Sequence, residues 1–482
     1  MRFAWFVIAV FAGRFIATAV CFPHGDGDLG WQRWLGERIL VAGSLPQHLG
    51  AETFTAQGAP WVPQEWLFAL LAYASRGAAW PAFAGLCAAF AIAALIVVGL
   101  HAARRGAHPY AVAVVVAGAG IGLFESFGVR VQVLGWPLFA AFLLALETDG
   151  PLAYAAVAIA AVWSNLHASV VLAPVVAAAS FAGTLLDEGW SGRARRSLRI
   201  AAACVLATCA NPLGWKLPSY AVMLFGSPFK SMISEWKHTD IGDTSFAFGA
   251  LPLVVAVVVF GIHGERRWRD RLVLCVVGWL MLAAARNVAI FGLAAAPIVA
   301  SALSDGIPFL RERRGSVAFA VAPRNVRFAE ILFFAGIASG IAASLIRTER
   351  SGGAPDRQPM AALAAIEALP RSHNVFCADF AWCSFLLASR DRVFLDGRAD
   401  PYPQAVWDDF GTIDRVRPAW RKTLRERGVD IVLVARNAPL EAALSLTPGW
   451  RSMFVDAEYR VWSRVPTAGV VKRVAVTARS VR

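Results

Sequence analysis

Residues 1–346 carry a succession of long apolar segments separated by mostly short polar loops. A helix needs about 20 apolar residues to cross a bilayer. Segments near that length fall at 3–22, 80–102, 109–125, 131–147, 151–167, 169–186, 199–213, 247–263, 272–287, 288–304 and 329–346. In hydrocarbon every backbone N–H and C=O must find its partner inside the protein, so such a chain is confined to a helical bundle. Composition agrees, with 57% hydrophobic and 16% charged residues. The expected fold is a polytopic α-helical membrane protein with about 11 transmembrane helices, ending in a soluble α/β domain. The first segment is long, is interrupted by Arg14 and is followed by no small-x-small cleavage site, so it reads as a retained anchor.

The apolar piece 64–77 is too short to span and reads as an interfacial helix. With the N-terminus in the cytoplasm, Arg104, Arg105, Arg193, Arg195, Arg196, Arg199, Arg266, Arg267, Arg269, Arg271, Arg311, Arg313, Arg314, Arg324 and Arg327 then fall on the cytoplasmic face. That bias is the positive-inside rule, and it accounts for the net charge of +13 without a nucleic-acid partner. The unusual polar residues gather on the outer face. They are Asp26, Asp28 and Glu65 of the first outer loop (23–79), Glu125 and Arg130, Asn165 and His167, Asn211, Glu235, Lys237, His238 and Asp240, and Arg286 with Asn287.

Residues 1–346 thus read as the transmembrane domain and 347–353 as a linker. In 354–465 strand-like and helix-like stretches alternate, as in an α/β domain with a largely parallel sheet, and 466–482 form a basic tail. Cys377 and Cys383 are the pair there close enough in sequence for a disulfide. Asp379, Asp396, Arg398 and Asp400 gather around strand ends, where ligands bind in α/β sheets, but turns and helix caps use the same residue types.

Asp26-Gly27-Asp28 is the sharpest chemical candidate. Two carboxylates flanking a glycine can turn toward one hard cation such as magnesium or manganese. Alternatively, one of them is a general base. A solvated turn at a helix end uses the same residues. Arg130 and Arg286, at helix ends, suit bidentate binding of a phosphate or pairing with Glu125 or Glu235, and Lys237 is ambiguous in the same way. His167 with Asn165 suits acid/base work or simple hydrogen bonding, and Arg14 is a candidate partner for Glu125. Trp31 and Trp34 lie on an amphipathic interfacial helix.

One helix, a long outer loop opening on acidic residues, ten or so further crossings and a soluble C-terminal domain resemble the GT-C superfamily of membrane glycosyltransferases. The stretches GDGDLGWQRWLGERIL, SLPQHLGAETFTAQGAPWVPQEWL, ISEW and VFLDGRADPYP resemble an uncharacterised bacterial family of that layout. The resemblance implies Asp26 or Asp28 as catalytic base or metal ligand, and Arg130, Lys237 and Arg286 as holders of a donor phosphate. It implies transfer of a sugar from a polyprenyl-phosphate carrier to an envelope acceptor, at the outer face of a bacterial inner membrane, with the C-terminal domain periplasmic or extracellular. Glu65, Glu125, Asn165, His167 and Glu235 are the supporting residues of that site. The spacing D-G-D departs from the adjacent acidic pair of some members, which leaves open which aspartate is the base. The competing reading is a transporter or a non-catalytic scaffold for envelope-polymer assembly.

Overall fold

The computed structural model describes residues 2–21, 26–227, 232–240, 242, 245–261, 267–312, 331, 333–342 and 358–465. The linker 347–353 and the tail 466–482 lie outside the described residues, as do His24, Lys230, Arg266, Arg313, Arg314, Arg324 and Arg327. The chain forms two units. The first takes Met1–His48, Ala59–Gln358 and Arg398–Pro401; the second takes Leu49–Gly58, Pro359–Gly397 and Tyr402–Arg482.

The first unit is helical. Its helices are α1 (Arg2–Cys21), α2 (Leu29–Ala42), α3 (Trp66–Ala74), α4 (Trp80–Arg104), α5 (Pro109–Glu125), α6 (Val131–Glu147) and α7 (Ala155–Trp163). They continue as α8 (Leu172–Glu188), α9 (Gly192–Ala207), α10 (Lys216–Phe225), α11 (Leu251–Gly261), α12 (Trp268–Ala283), α13 (Val288–Gly306), α14 (Pro308–Glu312) and α15 (Phe333–Ala342). Each of the eleven expected spans overlaps a helix. By length and apolarity four described stretches are able to cross alone: Phe3–Val20, Gly77–Arg104, Ala168–Glu188 and Ala285–Gly306. Pro109–Glu125, Val131–Glu147, Gly150–Trp163, Phe246–Val258 and Phe333–Ala342 are apolar but shorter. The chain is therefore a multi-pass helical membrane protein.

Two close approaches shape the bundle. The α3 helix has nine residues, far too few to span. It packs on α2 where Gly36 leaves room; a Cβ there would lie 2.2 Å from the Ala69 carbonyl oxygen. Similarly, α1 and α15 meet through Gly336 and Gly340, four apart on one face. A Cβ on Gly340 would come within 2.0 Å of the Val10 carbonyl oxygen. Small residues at this spacing let membrane helices approach backbone to backbone. The most enclosed of these four spans is the one that contains α13, with 78% of its apolar window buried against 39–50% for the other three.

At the opposite end from the candidate site, Arg105 is enclosed between Glu147 and Asp270, and His101 Nε2 lies 2.9 Å from Glu147. An arginine that marks topology in the sequence is thus also a clamp joining the ends of α4 and α6 to the start of α12.

The second unit holds a five-stranded sheet of β1 (Asn374–Cys377), β2 (Arg392–Val393), β3 (Ile431–Ala435), β4 (Trp450–Val455) and β5 (Tyr459–Arg464), in the order β2-β1-β3-β5-β4. The pairs β1–β2 and β1–β3 are parallel, whereas β3–β5 and β4–β5 are antiparallel. The expected largely parallel sheet is therefore mixed. The reason is local: residues 456–458 are too few for a crossover, so β4 and β5 form a hairpin. Part of the first loop belongs here as well. Thr53 bridges Val393 in parallel, Val393 N–H donates to the Glu52 carbonyl at 2.8 Å, and Phe54 packs edge-on against Phe394. Cys377 and Cys383 form a disulfide, with Cα atoms 5.8 Å apart.

Candidate functional site

Four of the charged first-unit residues at the site sit at the beginnings of helices. Asp28 precedes α2, Glu65 precedes α3, Arg130 precedes α6, and Arg286 lies in the short turn Ala285–Asn287 before α13. Helix N-termini carry partial positive charge, so anions are stabilised at this position.

A line of alternating charge runs through them. Arg130 Nε lies 3.2 Å from Asp26 Oδ2, and its Nη1 donates to Glu235 Oε2 at 3.0 Å. Arg286 Nη1 lies 3.4 Å from the other oxygen of Glu235, and its guanidinium faces the ring of Trp236. Glu235 thus holds two arginines at one carboxylate. Against the burial that would raise it, Arg130 and then Arg286 hold its carboxyl at about 2. Asp26 also accepts from the Asp28 N–H at 3.2 Å, which turns the D-G-D segment back on itself. Asp28 accepts from the Trp31 indole at 3.1 Å. Burial, then Asp26 and Glu65, push the Asp28 carboxyl well above the usual carboxylate range. The two aspartates are therefore unlike: one is paired with a cation, and the other is crowded by like charge.

Beside this line Glu65 forms a second centre. Its two oxygens take Gln32 Nε2 at 2.5 Å and Gln64 Nε2 at 2.8 Å. Gln64 has no freedom to flip, because its Oε1 accepts the Ala168 N–H at 2.7 Å. His167 Nε2 stands 3.7 Å from Glu65 Oε1. The Ser169 N–H donates to His167 Nδ1 at 3.1 Å, which leaves the ring proton on Nε2, facing Glu65. Burial first, and then Arg286, push the imidazole down to about 3, so it is neutral at pH 7. Burial likewise pushes Glu65 up to about 7, with Gln32 and Gln64 opposing.

Asp26, Asp28, Glu65, Arg130, His167, Glu235 and Arg286 are brought together. The described contacts of Lys237, Glu125, Arg14 and Asn165 lie elsewhere. Lys237 is exposed, and its carbonyl accepts the Ala285 N–H. Glu125 is exposed at the end of α5, while Arg14 lies over the Phe124 ring at 3.8 Å. Asn165 spends its amide on the Ala161 and Ala210 carbonyls, so it fixes the turn that presents His167. In the second unit Asp379 caps a helix through the Ala381 N–H, and Asp396 accepts the Tyr402 hydroxyl. Arg398 and Asp400, by contrast, belong to the first unit.

A divalent cation needs several oxygen or nitrogen ligands converging on one point. Among the described residues no group of three or more His, Cys, Asp or Glu side chains does so. Among the described residues Asp26 is paired with Arg130, and no step is assigned to a metal.

Gln32, Gln64 and Tyr220 are residues the sequence did not single out. Uncharged amides and a phenol among apolar residues look like ordinary core-edge residues until the carboxylates they serve are placed.

No protein-family model matches the chain, and no curated protein matches it in sequence. Among solved structures it is similar to that of ArnT from Cupriavidus metallidurans bound to undecaprenyl phosphate, at 14% identity and TM-score 0.52. That similarity covers 96% of this chain and 99% of the other. The Archaeoglobus fulgidus oligosaccharyltransferase, in complex with zinc and sulfate, is matched at 11% identity and TM-score 0.49, over 95% and 74% of the two chains. A likeness spanning nearly the whole of both chains shows that this chain shares the fold of that ArnT structure, in agreement with the GT-C-like layout expected from the sequence.

Proposed function

We propose that the chain transfers a sugar from a polyprenyl-phosphate carrier to an acceptor at the outer face of the membrane. The observation that carries this reading is the Asp26–Arg130–Glu235–Arg286 line with Asp28 beside it. Two arginines at helix starts, spaced by one carboxylate, suit a phosphate that gains charge as it leaves. Asp28, crowded by Asp26 and Glu65, is the better base of the pair, because a raised pKa brings a carboxylate nearer to the proton it must take. In this reading the acceptor oxygen attacks the anomeric carbon, and the bond from that carbon to the phosphate oxygen breaks. The electron pair leaves with the phosphate toward Arg130 and Arg286, while the acceptor's proton passes to Asp28. A relative's bound undecaprenyl phosphate supports a lipid of this class as donor carrier. The disulfide suits an oxidising compartment, which agrees with the outward placement drawn from the arginine loops.

The test is transfer from undecaprenyl-phosphate-linked sugars by full-length protein in lipid nanodiscs. Asp28→Asn is expected to lower turnover by about a hundredfold or more while binding of undecaprenyl phosphate persists. Full activity in the double variant Asp26→Asn, Asp28→Asn sinks the mechanism.

A further inference from the structure

Arg398–Pro401 belong to the first unit, although the sequence on either side of them belongs to the second. The side chain that accounts for this is Arg398, which is only 3% exposed. Its guanidinium carbon lies 4.9 Å from the ring centre of Trp34 and 5.0 Å from that of Trp61. Both tryptophans belong to the first unit, and Trp61 also stacks edge-on with Trp31, the residue that donates to Asp28.

The backbone next to Arg398 is strained. Ala399 has φ of 56°, and the Asp400 N–H donates to the Arg398 carbonyl at 2.6 Å. This is a three-residue γ-turn with a Cβ-bearing residue in the left-handed region, a rare and costly conformation. Strain of this kind persists where the surroundings over-determine it, and it collects at functional sites.

The strained turn presents Asp400. Its carboxyl hydrogen-bonds with Tyr220 of α10, and the charged groups that act on it are Glu65 and Arg398. Tyr220 itself is buried. Glu65 also holds Gln32, which is 1% exposed and whose Oε1 has no hydrogen-bond partner among the described residues. A buried acceptor left unpaired is costly unless a ligand supplies the donor. Thus Glu65 has, besides the arginine line, a set of neighbours able both to donate and to accept: Tyr220, Asp400 and Gln32. That is the chemistry of a sugar hydroxyl, which needs both. It is the wrong chemistry for a phosphate, because none of the three carries a positive charge.

We propose that Asp400, carried on the turn Arg398–Ala399–Asp400, is an acceptor-binding residue, and that with Tyr220 and Gln32 it receives a sugar hydroxyl beside Glu65. The proposal rests on the transferase reading above. It assigns to the acceptor a residue from the far end of the sequence and separates its binding groups from those of the donor phosphate.

The experiment uses the full chain in nanodiscs, radiolabelled undecaprenyl-phosphate-linked sugars as donor, and envelope membranes of the source organism as acceptor. Undecaprenyl phosphate binding is followed separately by tryptophan fluorescence. Asp400→Asn is expected to raise the acceptor KM by about tenfold, while the donor KM and the undecaprenyl phosphate affinity stay within about twofold of wild type. Tyr220→Phe reads the same split should Asp400→Asn fold poorly. Ala399→Gly, which takes the positive φ without strain, is expected to keep the acceptor KM. An unchanged acceptor KM in both Asp400→Asn and Tyr220→Phe overturns the proposal. So does an equal loss of donor and acceptor binding, which marks a purely structural turn. A wild-type chain that binds undecaprenyl phosphate but transfers nothing instead overturns the transferase reading, and the proposal with it.

Discussion

Glu65 shows how the residues of this site are tuned against one another. Its carboxyl is pushed up to about 7 from an ordinary 4.5, chiefly by burial. A carboxyl raised in the folded state binds its proton more tightly there than in the unfolded chain. Its stabilising contribution is therefore full below about pH 4.5 and is lost as pH rises through about 7. Asp400, raised to about 8 by burial, acts in the same direction. The thermal midpoint of the detergent-solubilised protein is thus expected to fall between pH 5 and pH 8, and Glu65→Gln to flatten part of that slope. A wild-type slope unchanged by Glu65→Gln places the ionisation elsewhere. At this scale the sequence singled out most of the charged residues that the structure brings together and missed the uncharged ones beside them. Asp26, Asp28, Arg130, Glu235 and Arg286 stood out because charge is rare at apolar helix ends. Lys237 stood out for the same reason, yet its side chain is exposed, because sequence places a residue in a loop without fixing which way it points.

At the level of elements, apolarity located the spans, whereas close packing was hidden. The α1–α15 contact depends on Gly336 and Gly340, and neither carries any signal in a hydropathy reading. Replacing Gly340 by leucine forces side-chain atoms into the Val10 carbonyl, and overpacking of this kind typically costs about 1–3 kcal/mol. The expected outcome is a thermal midpoint several degrees lower, with undecaprenyl phosphate affinity retained wherever the fold survives. A Gly340→Leu protein as stable as wild type argues against the close approach. The α10 helix escaped the sequence reading for a simpler reason. At ten residues it is too short to register as a span, yet it supplies Tyr220. The Cys377–Cys383 link closes a short loop between β1 and the helix after it. Chain-entropy reasoning gives a bridge of this size about 2 kcal/mol, so reduction should lower the second unit's midpoint modestly rather than unfold it.

For the whole molecule, the expected division into a membrane domain followed by a soluble one describes the chain only in outline. The second unit takes residues 49–58 from the first loop, and the first unit takes Arg398–Pro401 from beyond β2. Nothing local marks either stretch, because each is settled by pairing across more than 300 positions: Thr53 with Val393, and Arg398 with Trp34 and Trp61. A chain stopped after residue 358 is therefore expected to lose Arg398 and Asp400 together with the sheet, and to lose transfer even if its helices insert. Restoration of transfer by adding 359–465 as a separate polypeptide would show that the pairing survives a break in the chain.

The bridge from Thr53 to Val393 also sets an order of events in biosynthesis. Residues 52–55 are made before most of the membrane helices, and their β2 partner is made after the last of them. Through the insertion of everything between, this piece of backbone waits with its hydrogen-bonding groups unmatched. Completion of this bridge therefore requires that the ribosome has passed residue 393, so a product stopped earlier keeps residues 52–55 without their β2 partner.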